Sequence, residues 1–231
     1  MTRHNDDNII TGRLYLTGEA VSLTLKDGVI AEVEKAQGGD DKSLVIAPGL
    51  TDLQVNGYGG LDLNTDPLLP ETVRDISVKL WSEGVTTFFP TIITNSSERI
   101  QNYVSVIADA CSRFPEAAGA VGGIHLEGPF ISPENGARGA HPAEHVKPPD
   151  WKLFCEWQEA CGGMIRIITL SPEWPDSVDF IRLAAGSSVT VSIGHTSATP
   201  EQIREAVTAG ATLSTHLGNG SHQMLPRHRN Y

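Results

Sequence analysis

The chain has 231 residues, with 28 acidic against 17 basic side chains and a formal net charge of -11. That balance excludes a protein that grips nucleic acid through its phosphates, which needs a basic surface, and the lack of any run of about 18 apolar residues excludes a helical membrane span. A hydrophobic content of 39% and an aromatic content of 6% suit one large globular domain, or one domain with a small companion.

The first residues, Met1 to Asp7, are polar and lack a signal-peptide core. Three cysteines, Cys111, Cys155 and Cys161, show no paired spacing, which indicates free thiols in a reducing cytoplasm. Residues 9–46 read as short strands: Ser22 to Leu25 alternates, Lys26-Asp27-Gly28 is a hairpin turn, and Val29 to Val33 follows. This N-terminal β element, residues 1–47, is too small to bury a good core alone.

The signature then changes. An apolar run ends in Gln54-Val55-Asn56-Gly57, and Pro70 to Glu83 has helical periodicity with Gly84 as its stop. Val85 to Phe89 is rich in β-formers and is read as closed by Pro90, and Asn95 is read as the N-cap of the next helix, with Glu98 three residues on. That helix puts Ile100, Tyr103, Val104, Ile107, Ala108, Cys111 and Phe114 on one stripe. A strand over 121–126 leads into a long Gly/Pro/His loop from Gly128 to about Asp150, a length that points to function or disorder. Helices over 151–160 and 176–185 alternate with strands over 164–170 and 188–193. Thr199-Pro200-Glu201-Gln202 starts another helix, with a Thr cap, Pro at the first position and Gln at the third. A strand over 211–215 follows.

Strands alternating with helices at this spacing predict a parallel sheet with covering helices, either doubly wound or a (β/α)8 barrel. Gly57-Tyr58-Gly59-Gly60 does not open a helix, which argues against a dinucleotide site. Polar residues fall at strand ends: Gln54 and Asn56, His125 and Glu127, His195, and His216. Barrel active sites gather at such ends, so the barrel is the favoured reading. Residues i and i+2 of a strand share a face, so His125 and Glu127 project together. One carboxylate and two imidazoles from three strands, Glu127, His195 and His216, form a three-ligand set for a divalent metal with an open position for water. Such an ion makes hydroxide available near neutral pH.

Ala47-Pro48-Gly49-Leu50-Thr51-Asp52 through Gly57, His125-Leu126-Glu127-Gly128-Pro129-Phe130, Gly194-His195-Thr196 and Thr215-His216-Leu217-Gly218-Asn219 together resemble the N-acetylglucosamine-6-phosphate deacetylases of the amidohydrolase superfamily. The resemblance implies an incomplete (β/α)8 TIM-like barrel over residues 48–231, about six strands, beside a small β-sandwich to which residues 1–47 contribute. It implies that Glu127, His195 and His216 hold one divalent metal ion, with zinc fitting the N/O donors and iron the alternative. Many amidohydrolases have His-x-His on the first strand for a second metal, and here that position is Gln54-Val55-Asn56. The implied reaction is metal-dependent deacetylation of N-acetylglucosamine 6-phosphate to glucosamine 6-phosphate and acetate.

In that reading His141 contacts the substrate's N-acetyl carbonyl and stabilises the developing oxyanion, with His145 the competing candidate. Asn219 and Gly220 hold the sugar phosphate, partly through backbone N–H groups. Arg227 reaches the phosphate from the neighbouring subunit of a homodimer. His222 and His228 are read as loop residues, and His125 as a supporting one. Gly218-Asn219-Gly220-Ser221 stands where relatives have a bulky residue followed by Asn-Ala-Met, so the amino sugar accepted is open. The resemblance also places two further strands and a catalytic aspartate, the general base and acid, beyond Tyr231, so this chain is read as the N-terminal part of an enzyme and is expected to be inactive by itself. Two other readings stand beside this one: an amidohydrolase acting on another amide, and a non-catalytic chain that binds metal or sugar phosphate.

Overall fold

The computed structural model describes residues 8–36, 44–219, 222 and 224. The chain divides into two compact units, Met1–Gly49 and Leu50–Tyr231. In the first unit, β1 (Asn8–Leu14), β2 (Ala20–Lys26), β3 (Val29–Lys35) and β4 (Val45–Ile46) form a sheet in the order β3-β2-β1-β4. The β2–β3 hairpin turns on Asp27 and Gly28, at φ 50° and 78°. Both are left-handed, as the tight turn joining twisted antiparallel strands requires.

The second unit runs β5 (Leu50–Val55), a small hairpin of β6 (Gly57–Tyr58) and β7 (Leu61–Asp62), α1 (Pro70–Ser82), β8 (Val85–Ile93), α2 (Ser97–Arg113), α3 (Pro115–Ala120) and β9 (Ile124–Glu127). It continues with α4 (Trp151–Ala160), β10 (Ile165–Leu170), α5 (Ser177–Gly186), β11 (Thr190–Ile193), α6 (Pro200–Ala209) and β12 (Ala211–Ser214). Among the described residues six strands pair in the order β5-β8-β9-β10-β11-β12, every neighbouring pair parallel. Strand order equals chain order, with no reversal. A doubly wound sheet reverses at a switch point, whereas a (β/α)8 barrel adds each strand beside the last. The sheet is therefore the six-stranded part of a barrel wall, which resolves the two architectures left open by the sequence.

Local chemistry explains most elements. Val73, Ile76 and Leu80 bury one face of α1, and the chain leaves it through Gly84 at φ 82°. In α6 the capping box is complete: Gln202 N–H donates to Thr199 Oγ1 (3.3 Å) and Thr199 N–H donates to Gln202 Oε1 (2.8 Å). Two boundaries differ from expectation. Strand β8 continues through Pro90 to Ile93. Pro90 sits where the pairing with β5 shifts register between Asp52 and Val55, a place where a missing N–H costs the ladder little. The cap of α2 is Ser96, whose hydroxyl accepts from Arg99 N–H, while Asn95 Oδ1 accepts from Ser96 N–H one residue earlier. The buried stripe of α2 includes Ala110, and α3 was not foreseen.

The loop after β9 is held down rather than disordered. Phe130, Ile131, Ser132, Ala137 and His141 are all buried. Phe130 stacks on Trp157 of α4 (centroids 5.9 Å apart) and meets Phe180 of α5 edge-on (5.2 Å). Trp157, fully buried, also donates its indole N–H to Ser97 Oγ at 3.2 Å. Trp157→Ala is expected to lower the unfolding free energy by about 3–5 kcal/mol, read by urea denaturation, with Trp157→Phe costing less. A Trp157→Ala chain as stable as wild type would mean that this anchor is not part of the core.

Candidate metal centre

The C-terminal ends of the parallel strands deliver the site. Glu127 is the last residue of β9. His195 and His216 each stand two residues past the ends of β11 and β12. Both histidines adopt left-handed backbone, φ 49° and 53°, which costs energy for a residue with a Cβ and concentrates at functional sites. The preceding Gly194 has no room for a side chain, since a Cβ there would lie 2.8 Å from Thr215 Cβ and 2.9 Å from Thr169 Cγ2. Adjacent strands thus turn in the same way and bring both rings over the end of β9.

Glu127 Oε1 lies 3.2 Å from His195 Nε2 and 3.0 Å from His216 Nε2. His141, from the loop after β9, puts its Nε2 3.3 Å from His195 Nε2. Ligand atoms of Glu127, His141 and His195 all lie within 4.8 Å of one another, and all three residues are buried. His216 is more open, its side chain 42% exposed. The proton positions follow from the outer partners. His195 Nδ1 faces the Ala137 carbonyl oxygen at 3.1 Å, which can only accept, so Nδ1 bears the hydrogen and the neutral ring presents a lone pair at Nε2. That lone pair points at a carboxylate oxygen, which also only accepts. Two acceptors facing each other call for a cation between them. Donor atoms bonded tetrahedrally at about 2.0–2.1 Å stand roughly 3.3–3.4 Å apart, close to the separations seen. The donor set therefore fits a divalent ion, with the Ala137 carbonyl supplying the outer hydrogen bond that metal-bound histidines usually have.

Burial works against the Glu127 charge, but the adjoining His195 ring and the surrounding imidazoles outweigh it and hold the carboxyl down to about 2. Burial, with the neighbouring imidazole of His195, pushes His141 down to about 4. His141 Nδ1 meets Thr94 Oγ1 at 2.8 Å. If Thr94 accepts, Nε2 is a lone pair suited to a metal; if Thr94 donates, Nε2–H is a donor suited to a carbonyl oxygen. Thr94 has room for its hydroxyl because residue 128 is glycine, where a Cβ would collide with it.

His125 shares the face of β9 with Glu127, two residues on, but has hydrogen-bond partners of its own. Its Nδ1–H donates to Leu53 O (2.9 Å), so Nε2 accepts from the Thr169 hydroxyl (2.7 Å). Thr169 in turn accepts from Thr215 (2.8 Å), which accepts from Ser192 (2.7 Å). One buried chain of hydrogen bonds thereby joins β9, β10, β11 and the residue before His216, and burial depresses the His125 pKa in keeping with its neutral role.

Of the other sequence candidates, Asn219 lies in the turn after His216, its N–H donating to His216 O at 2.7 Å. Gly220 and Arg227, like His228, fall outside the described residues. His145 closes a short 3-10 turn, Ala143–His145, and is not among the clustered residues, whereas His141 is. His222 meets Glu134 Oε2 at 3.2 Å. Gln54 brings its amide nitrogen within 3.5 Å of His216 Nε2. Sequence reasoning missed Thr94. With β8 ended at Pro90, Thr94 was not recognised as one more polar residue at a strand's C-terminal end.

The two shifted groups predict how the metal-free chain responds to acid. A depressed histidine leaves the unfolded chain binding more protons, so His141 withdraws stability as pH falls from about 6.5 to about 4. Glu127 adds a further loss as pH falls from about 4.5 to about 2. Urea midpoints measured across pH are expected to fall in both windows, with His141→Asn flattening the upper one and Glu127→Gln the lower. Midpoints with the same pH slope in all three chains would contradict these assignments.

Comparison with known proteins agrees with the geometry. The model of the Amidohydrolase family matches residues 45–228. N-acetylglucosamine-6-phosphate deacetylase of Bos taurus is 37% identical over 209 residues, covering 89% of this chain and 48% of that protein. The Bacillus subtilis (strain 168) deacetylase of the same name is 38% identical over 186 residues, covering 80% and 45%. A solved N-acetyl-D-glucosamine-6-phosphate deacetylase variant from Mycobacterium smegmatis, in complex with N-acetyl-D-glucosamine-6-phosphate, superposes with a TM-score of 0.78 at 27% identity, over 96% of this chain and 58% of that one. The chain spans about half the length of the curated relatives it matches. With the family model covering most of its length and the site standing at the ends of parallel strands, the chain belongs to the amidohydrolase family.

Proposed function

We propose that this chain is part of a metal-dependent amide hydrolase that deacetylates N-acetylglucosamine 6-phosphate, yielding glucosamine 6-phosphate and acetate. The observation that carries the reading is the convergence of Glu127 Oε1 with the Nε2 atoms of His195 and His216 at 3.2 and 3.0 Å, and the names of the relatives supply the substrate. Glu127, His195 and His216 hold a single ion. Zinc is favoured by the mixed carboxylate and imidazole donors, with ferrous iron the alternative. When bound, that ion supplies Lewis-acid activation of water and of the amide carbonyl. Gln54, close to His216, stands where a second metal would need an imidazole.

The chain's own residues do the rest. His141, kept neutral at physiological pH by burial and its imidazole neighbour, donates from Nε2 to the acetamide oxygen when Thr94 donates to its Nδ1. Asn219, together with Gly220 and Arg227, holds the sugar phosphate, Arg227 acting across a homodimer. The Gly218-Asn219-Gly220-Ser221 sequence favours a second reading, hydrolysis of a related amide, because it departs from the bulky residue and Asn-Ala-Met expected at this place.

The zinc-loaded protein, expressed from its whole reading frame, is expected to release acetate from N-acetylglucosamine 6-phosphate and much more slowly from unphosphorylated N-acetylglucosamine. His141→Ala is expected to lower kcat by about 100–1000-fold, the worth of one oxyanion donor. The 231-residue chain is expected to bind one equivalent of metal. Rapid hydrolysis of another amide with none of the sugar phosphate would reject the substrate, and undiminished metal binding by His195→Ala would reject the site.

A further inference from the structure

Glu173 lies in the loop after β10 and is not one of the clustered Glu127, His141 and His195. Its carboxylate nevertheless gathers three loops. Oε1 accepts from Ser132 Oγ–H at 2.9 Å, in the loop after β9. Oε2 accepts from Ser171 Oγ–H at 2.7 Å, in its own loop, and from Ser197 N–H at 2.8 Å, in the loop after β11. Because Ser171 gives its hydrogen to Glu173, its oxygen accepts from Thr196 Oγ–H at 2.7 Å. Ser132 N–H also donates to the carbonyl oxygen of His195 at 2.8 Å. The backbone of His195, left-handed at φ 49°, is thus held at its carbonyl by Ser132 and at the two residues that follow by Glu173 and Ser171. Each of these holds ends on the one carboxylate. The same loop after β9 delivers Ala137 O to His195 Nδ1 at 3.1 Å.

We infer that Glu173 is a positioning residue for the metal centre, fixing His195 by tying together the loops after β9, β10 and β11. The inference rests on the reading of His195 as a metal ligand. A carboxylate suits the task because it accepts from three donors at once without offering a proton of its own. Glutamine has the same length and keeps an acceptor oxygen for Ser171 and Ser197, while its amide can donate to Ser132. Alanine leaves the Ser197 N–H and two hydroxyls without their acceptor.

The test is cobalt(II) binding by the folded chain, followed by visible absorption and by chelator competition. Glu173→Ala is expected to raise the cobalt Kd by about 10–100-fold and to weaken the tetrahedral cobalt bands, whereas Glu173→Gln stays within about threefold of wild type. Glu205→Ala, an exposed carboxylate on α6, serves as a control and is expected to change neither. Wild-type affinity and spectrum in folded Glu173→Ala would overturn the inference while leaving the metal reading intact. Should Glu173→Ala not fold, Ser132→Ala and Ser171→Ala each remove one donor; a several-fold loss in both supports the clamp, and unchanged affinity in both overturns it. A wild-type chain that binds no cobalt, or a His195→Ala chain that binds it equally well, rejects the metal reading and the clamp with it.

Discussion

A buried carboxylate facing lone pairs is the constraint on which this structure depends. Glu127 has 3% of its side chain exposed, and an anion so placed is costly unless something positive answers it. The oxygen that faces His195 faces a nitrogen whose hydrogen is committed elsewhere, on the far side of the ring, to Ala137. Protonating an imidazole supplies one positive charge and one hydrogen bond. A divalent ion would satisfy Glu127, His195 and His216 together. The arrangement is thus preorganised for a cation and unfavourable without one, as expected of a site whose ligands come from separate strands of a rigid sheet.

The barrel wall makes that arrangement possible. Parallel strands put every C-terminal end on one rim, and strand order that follows chain order places β9, β10, β11 and β12 side by side. Below the rim, the chain of hydrogen bonds from His125 through Thr169 and Thr215 to Ser192 locks the strands in register without any charge. Above it, the loop after β9 is pinned by Phe130 among the α4 and α5 aromatics and by the clamp at Glu173. Polar residues that look interchangeable in the sequence therefore do separate work. His125 ties the strands of the sheet, Glu127 meets the imidazoles at the rim, and Glu173 joins the loops.

Much of this was legible in the sequence because strand and helix periodicities leave direct marks. The α4 span, the Thr199 capping box and the Lys26-Asp27-Gly28 turn follow from local chemistry alone and are found where expected. The strand-end positions of Glu127, His195 and His216 were legible for the same reason. What escaped was set by tertiary context. Pro90 ends a strand by its local chemistry, yet a register shift in the neighbouring pair accommodates it, and that misplaced boundary concealed Thr94. The choice between His141 and His145 depends on how a loop of more than twenty residues folds back, and no periodicity encodes that path. Glu173 gives no local signal either, since two of its three side-chain partners, Ser132 and Ser197, come from loops far away in the chain.

Diffraction from crystals of the zinc-loaded chain, with anomalous data collected across the zinc edge, tests the central claim most directly. One strong peak is expected, with Glu127, His195 and His216 bonded to it at about 2.0–2.2 Å. A zinc-saturated crystal with no peak between these three residues, or with the ion bound elsewhere on the chain, would contradict the account.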